Sequence, residues 1–392
     1  MTSLSCRAVL FATLLAVAGP AQAVAQAQSA DERVRDFATQ IARDVEADQV
    51  GGITAAVFQG PDVIWARGFG YADREAGIPA GVGTVYRTGS ISKTFTALLL
   101  ALLVPDGVLG LDDPVAASLP EIEQVTQRPP GASPVTYRHL ASHTAGWVRE
   151  PSNPDMVVGP IELWEERVLE SIPITSYYAA PGASYRYSNI GFGVLGVALS
   201  RAAGRPFMEL VTERVIQPLG MEGTTFVPDE RLQRRLAKGY ANNRDGEVDT
   251  EQPAREHRGR GYKVPNGGVY STVGDLARFA AALSGHGGPD LLDRSMRAEM
   301  LAVQTPEDPD NGYGLGLSIR TSDRGDVLAG HGGSVAGYNA HLVFDLKTGL
   351  GVVLMRNYNV GRTNLGQAGN RLLEALLETR ALVPTPSGSV PR

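Results

Sequence analysis

The sequence predicts an α/β (α+β) protein: one antiparallel sheet built from both ends of the chain, flanked by terminal helices, with a helical lobe inserted between its strands. Three observations carry this expectation. Segments rich in β-branched and aromatic residues occur early, at residues 53–59 and 63–71, and return late, at 315–320, 326–330, 338–345 and 350–356. The intervening stretch from 107 to 265 reads as helices and loops with little strand signal. Helical spacing brackets the whole, with Val34, Phe37, Ile41 and Val45 at one end and Leu372, Leu373, Leu376 and Leu377 at the other. Strands at both termini that share one sheet, covered by the terminal helices, satisfy the need to bury every apolar face.

Taken in order, the first 23 residues carry a single basic residue, Arg7, an apolar run from Ala8 to Ala18, and a small-residue site at Ala21-Gln22-Ala23. That pattern is a secretory signal peptide, which places the remainder in the periplasm or outside the cell. The only cysteine, Cys6, falls in that segment, so disulfides, a thiol nucleophile and thiolate metal sites are excluded from the mature chain. Loss of Arg7 takes the formal net charge from −6 to −7. Acidic and basic residues are interspersed, which argues against nucleic acid and for a small-molecule or peptide substrate. No later segment is long and apolar enough to span a membrane.

Residues 24–383 then form a single domain, with a sheet lobe at about 29–89 and 265–382, and a helical lobe at about 90–264. A helix over 29–50 opens it, and the two early strands form a hairpin through Gly60-Pro61-Asp62. Next comes a helix that begins at Ser90, is apolar on every face through Val104, and stops at Pro105 and Gly107. Further helices are expected at 135–142, 161–172, 191–203, 207–217, 272–283 and 292–303, with 240–260 the most polar, loop-like part. The tail, 384–392, is expected to be disordered.

Chemistry is concentrated at the Ser90 helix. Residues three apart share a helix face, so the Lys93 amine can reach the Ser90 hydroxyl, the pattern of a nucleophile and its base. The chain uses only four lysines (Lys93, Lys238, Lys263 and Lys347) among its 36 basic residues. A base must shed its proton, which arginine cannot do. At a helix start the Ser90 N–H is free to face a developing oxyanion. Two further elements follow in order. Tyr187 and Asn189 place a phenol and a carboxamide two residues apart in a loop leading into a helix. Gly330-His331-Gly332-Gly333-Ser334 offers glycines that admit a ligand close to the backbone.

Together these three elements resemble the active-site motifs of the serine β-lactamase and penicillin-binding-protein superfamily. The Tyr-x-Asn form of the second resembles the branch holding class C β-lactamases, DD-carboxypeptidases and family VIII esterases. The resemblance extends through residues 135–146, 267–272 and 331–333. It implies a β-lactamase/transpeptidase-like fold and an acyl-enzyme on Ser90, with Lys93 as its partner. It implies further that Tyr187 shuttles the proton to the leaving group and helps activate the deacylating water, and that Asn189 holds the substrate amide. The third strand, His331, Gly332, Gly333 and Ser334, would align the substrate, with the Ser334 N–H completing the oxyanion hole. No cofactor or metal is implied. The expected activity is that of an exported serine hydrolase on a peptide, β-lactam or ester carbonyl.

One departure matters. The third motif of β-lactamases in this branch usually begins with Lys, whereas here it begins with His331, so carboxylate anchoring is expected to be weaker or to fade as pH rises through about 6.5. Lys347-Thr348-Gly349 spells the usual motif but reads as a hairpin turn. His139 and His143 read as framework residues, and His257, His286 and His341 have no metal-ligand spacing. Two alternatives stand beside the main reading. An α/β-hydrolase is suggested by His331-Gly332-Gly333 and by the near nucleophile elbow Gly332-Gly333-Ser334-Val335-Ala336, but chain order and the missing strand–helix alternation oppose it. A non-catalytic binding module of the same fold is opposed by the intact Ser90, Lys93 and Tyr187.

Overall fold

Two runs of apolar residues, Gly52–Gln59 (β1) and Leu350–Arg356 (β8), pair antiparallel in the middle of an eight-stranded sheet, with Ile53 opposite Arg356 and Gln59 opposite Leu350. In this computed structural model, which describes residues 20–243 and 245–381, the other strands are Asp62–Asp73 (β2), Ile78–Pro79 (β3), Asn311–Tyr313 (β4), Ser318–Thr321 (β5), Val327–Val335 (β6) and Tyr338–Asp345 (β7). The order across the sheet is β3-β2-β1-β8-β7-β6-β5-β4, every pairing antiparallel. The early and late strands therefore meet in one sheet. Most of the expected leader, residues 1–19 with Cys6, and the whole expected tail, 384–392, lie outside the described residues.

Alternation along the central strands explains why they read as continuous apolar runs. Ile53, Ala55, Val57, Val352 and Leu354 face the terminal helices, Pro20–Asp48 (α1) and Leu365–Ala381 (α5), where Ile41, Val45, Leu373 and Leu377 meet them. Ala56, Phe58, Val353 and Met355 face the other way, into the main core. With both faces covered, the central strands are apolar almost throughout, and the polar side chains they do bury are hydrogen-bonded, Thr54 to the Tyr86 hydroxyl and Arg356 to the Tyr358 and Thr363 carbonyls. Each fully buried Val, Leu or Ile contributes about 1.5–3 kcal/mol relative to exposure.

On that second face lies Ser92–Leu103 (α2), with all 12 of its residues buried. Its Phe95 stacks on Phe279 of Val273–Ser284 (α4) at 3.9 Å between ring centres. Asn189–Ala203 (α3) packs beside it, capped by the Ser188 hydroxyl, which accepts from Gly191 N. Two glycines of α3 let another segment come close. A side chain at Gly196 would overlap Pro265, and one at Gly193 would stand 3.0 Å from the Tyr262 carbonyl oxygen. This brings the turn Val264–Gly267 against α2.

The structure departs from the sequence expectations at several places, four of them as follows. Ser90 is not the first residue of α2 but the middle of a 3-10 turn, Gly89–Ile91, ahead of it. The third motif lies inside β6, which runs on to Val335 instead of ending near Gly330. Residues 315–317 are not strand, because Gly316 docks on α2 and on its surroundings: its N–H donates to Ala141 O and its carbonyl accepts from Thr94 Oγ1 at 2.7 Å. The polar stretch 240–260 contains a helix, Glu251–Glu256, fixed by long-range contacts. Glu256 receives Arg87 and Arg260, each at 2.9 Å, and Pro253 is buried.

Candidate active site

The Gly89–Ile91 turn exists because the chain there is pressed against β6. Gly89 has φ +55°, and a side chain on it would stand 2.7 Å from Ser334 N. Reciprocally, a side chain at Gly333 would overlap the Thr88 carbonyl oxygen and stand 3.1 Å from Ser90 N. Close approach of two glycines thus sets the Ser90 and Ser334 N–H groups beside one another. The turn is locked from behind by Ser92 Oγ, which donates to Gly89 O at 2.7 Å and accepts from Val269 N. Pairing of β6 with β5 stops at Gly330, so His331 to Val335 have β7 on one side and no strand on the other among the described residues. That open edge is suited to lining up an extended substrate.

Lys93 Nζ lies 3.1 Å from Ser90 Oγ, 2.8 Å from Asn189 Oδ1 and 3.2 Å from the Asn266 carbonyl oxygen. Lys93 is fully buried. Burial first, and then the cations Lys263 and Arg149, hold its pKa well below the usual lysine value. A neutral amine has two N–H groups and one lone pair. Asn189 Oδ1 and Asn266 O are pure acceptors and take the two N–H groups, which leaves the lone pair directed at the Ser90 hydroxyl. The geometry therefore fits an amine that accepts the Ser90 proton.

Tyr187 completes the group. Its ring lies 4.7 Å from Lys93 Nζ, beside the Ser90 side chain that acts on its phenol. Burial pushes the phenol up to about 12, with the Ser90 contact and the Arg149 charge opposing in part. Near neutral pH it is a proton donor. His143 stands behind it with ring centres 4.2 Å apart. Its Nδ1 accepts from Ser188 N, which fixes the proton on Nε2 and ties the Tyr187 loop to the framework. His143 sits at φ 61°, and burial keeps its pKa well below the usual value, so it supports and does not titrate.

Asn189 is buried and engaged at both ends. Its Oδ1 accepts from Lys93, and its Nδ2 donates to Glu150 Oε1 at 2.6 Å. Glu150 also receives the Tyr262 hydroxyl and the Lys263 ammonium. Against the expectation that Asn189 simply holds the substrate, much of its carboxamide is committed to orienting Lys93.

His331 differs most from expectation. It is only 7 % exposed. Its Nδ1 contacts the Gly332 carbonyl oxygen, which can only accept, so Nδ1 carries the proton and Nε2 accepts from the Tyr313 hydroxyl at 2.8 Å. Both ring nitrogens are engaged within the protein. Burial, followed by the nearby Lys93, lowers its pKa to about 3. The expected pH-dependent carboxylate anchor is therefore a neutral residue that shapes the strand. Gly332 and Ser334, by contrast, are exposed.

Lys347 is far from this group in role: it sits in the turn between β7 and β8, exposed, where Thr348 is held by Asp345 and the Lys347 carbonyl meets His286. His139 caps the helix Tyr137–Ala141 by accepting from Thr136 N, and His257 and His341 bond Tyr270 and Asn370. No cluster of three metal-ligating side chains occurs among the described residues. No helix among them is long and apolar enough to cross a membrane. Sequence reasoning missed Asn266, Glu150, Lys263, Tyr313 and Arg149. A backbone carbonyl leaves no signature in sequence, and the other four act across long separations.

An antiparallel sheet with a helical lobe inserted between its strands, and a serine, lysine and tyrosine gathered where the two meet, define a serine hydrolase of the β-lactamase/transpeptidase fold. The antiparallel sheet also removes the α/β-hydrolase alternative. Residues 37–376 match the family described as Beta-lactamase, and the chain belongs to that family. It is 31% identical over 345 residues to esterase EstB of Burkholderia gladioli, covering 78% of this chain and 86% of that one. It is 28% identical over 301 residues to the D-alanyl-D-alanine-carboxypeptidase/endopeptidase AmpH of Escherichia coli (strain K12), covering 76% and 73%. Its fold is similar to that of the octameric penicillin-binding protein homologue from Pyrococcus abyssi, with a TM-score of 0.73, 27% identity and coverage of 88% of this chain and 77% of that chain.

Proposed function

We propose that the protein is an exported serine hydrolase that forms an acyl-enzyme on Ser90 and acts on ester or peptide carbonyls, with β-lactam hydrolysis disfavoured. The observation that carries this reading is the buried Lys93 amine, 3.1 Å from Ser90 Oγ, with two carbonyl acceptors at its other contacts and its pKa held well below the usual lysine value by burial. In the reaction Ser90 Oγ bonds to the carbonyl carbon while its proton passes to Lys93 Nζ. The Ser90 and Ser334 N–H groups hold the oxyanion. The C–O or C–N bond then breaks as the leaving group takes that proton by way of Tyr187. Water adds to the acyl-enzyme, giving its proton to the same relay, and the Ser90 ester breaks as the proton returns to Oγ. Asn189 orients Lys93 throughout.

Support for the substrate class comes from two directions. The similar proteins include one named an esterase and one named a carboxypeptidase. The neutral, engaged His331 supplies no cation on the third strand, which weakens the hold on a β-lactam carboxylate. The leader-like first 23 residues support export. A non-catalytic binding module would have no use for a desolvated lysine held against a serine.

The test is intact-protein mass spectrometry after exposure to a serine-reactive phosphonate, a penicillin, a D-Ala-D-Ala peptide and a short-chain ester. Stoichiometric phosphonate label and ester or peptide turnover are expected, and both should vanish in Ser90→Ala, which truncates one hydroxyl at little packing cost. Label that persists on Ser90→Ala would end the assignment. Export is tested by N-terminal sequencing of the native protein, where an intact residue 1 would refute cleavage.

A further inference from the structure

Arg149 sits against the second motif, and the mechanism above leaves it unused. Its carbonyl oxygen accepts from Asn189 N at 2.9 Å and from Ile190 N at 3.3 Å, so its backbone is fixed to the start of α3. Its guanidinium lies over the Tyr187 ring, 4.9 Å from the ring centre. The side chain is nonetheless 63% exposed. Its one ionic neighbour among the described residues is the adjacent Glu150, at 3.6 Å. That carboxylate is already committed to Lys263, to Asn189 and to Tyr262.

The other cations near the nucleophile are spent or shielded. Lys93 is buried and aimed at Ser90; Lys263, with its side chain 18% exposed, is paired to Glu150; Arg260, 12% exposed, is paired to Glu256 and bonded to Gly267 O. His331 has both nitrogens engaged. Arg149 is thus a solvent-facing fork of N–H donors stacked on the Tyr187 ring, which also packs against Lys93 Nζ. Such a group is suited to bidentate recognition of a carboxylate.

We propose that Arg149 is a specificity-determining residue that binds a carboxylate on the substrate, on the acyl portion or the leaving group, so that anionic esters and peptides are selected from the second motif and not from the third strand. This rests on the acyl-enzyme reading above. The shared chemistry is a carboxylate within one arginine's reach of the scissile carbonyl.

Three esters test it: a neutral aryl butyrate, an aryl hemiglutarate with its carboxylate on the acyl side, and the butyrate ester of hydroxybenzoate with its carboxylate on the leaving group. The kcat/KM ratio of one anionic ester to the neutral ester should be larger in the unmodified protein than in Arg149→Met by at least about fivefold, the scale of a partly solvated charge pair, and chiefly through KM. Arg149→Lys should recover part of the ratio, and added salt should compress it. The anionic ester that responds identifies the side of the substrate that is read.

If both ratios are unchanged while all rates fall together, Arg149 acts only through Tyr187 and the proposal is overturned. Binding separates this failure from that of the functional reading. Phenylboronic acid and its meta-carboxy analogue should both attach at Ser90, the carboxylated compound more tightly, and Arg149→Met should remove the difference. Equal affinity of the two for the unmodified protein refutes the proposal alone, whereas no adduct with either overturns the acyl-enzyme reading and this inference with it.

Discussion

The Tyr313 hydroxyl donates to His331 Nε2 at 2.8 Å in a buried pair, and the opposite ring nitrogen contacts the Gly332 carbonyl oxygen. A histidine so placed reads no charge. With its pKa lowered to about 3, mainly by burial, His331 stays neutral across the working range. The ratio of rates on anionic and neutral esters should therefore show no inflection near pH 6.5. His331→Ala should lower kcat/KM by roughly tenfold or more through loss of the strand's shape, while Lys347→Ala should change it by less than about twofold. An inflection near pH 6.5 that disappears in His331→Ala would show that the ring is charged and solvated.

The two glycines after His331 should behave oppositely. A side chain at Gly333 would overlap Thr88 O, whereas at Gly332 the first atom met is 3.9 Å away. Gly333→Ala should push β6 off the Gly89–Ile91 turn, costing about 1–3 kcal/mol of stability and at least about 10²-fold in kcat as the two N–H groups separate. Gly332→Ala should leave the unfolding midpoint nearly unchanged. Equal melting temperatures for the two variants would contradict the close approach.

Lys93→Arg is a direct test of proton acceptance. Guanidinium cannot take the Ser90 proton at any working pH, so kcat should fall by roughly 10²–10⁴. In the unmodified protein the acid limb of kcat/KM on a neutral ester should lie far below the ordinary lysine value, in the direction set by burial. Activity that rose only as pH approached 10 would mean that Lys93 stays protonated and that another group is the base.

Acid should weaken the fold before the carboxylates titrate. Burial lowers the pKa of His331 to about 3 and of His257 to about 4, and His139, His143 and His341 move in the same direction. Unfolded, these rings take up protons near pH 6.5, so below that pH the unfolded state binds more protons than the folded one. Their stabilising contribution is full above about pH 6.5 and is lost toward the folded values, by up to about 1.4 kcal/mol per pH unit for each ring. The urea midpoint should fall between about pH 7.5 and about pH 5. A midpoint that held steady would show the rings to be protonated in the folded protein.

Much of this was legible in the sequence because it is written in local pattern. Runs of β-branched and aromatic residues gave the strands at 53–59, 338–345 and 350–356, Gly60-Pro61-Asp62 gave the hairpin, and an apolar run ended by Pro105 and Gly107 gave α2, since local geometry decides which neighbours share a face. The spacing of Ser90 and Lys93 placed them on one turn for the same reason. Tyr187 and Asn189 stood out as a pair, and the turn at Lys347 was readable from its flanking strands.

What the tertiary structure alone decided is the state of those groups. Sequence cannot say that Asn266 lends a backbone carbonyl to Lys93, because that contact depends on Pro265 packing against Gly196. Nor can it say that Tyr313 and burial keep His331 neutral, that Asn189 is drawn between Lys93 and Glu150, or that Arg149 rests open to solvent on Tyr187. Residue type sets which protons a side chain can hold. Whether it holds them depends on desolvation and on partners far away in the chain, and these exist only once the two lobes have closed around Ser90.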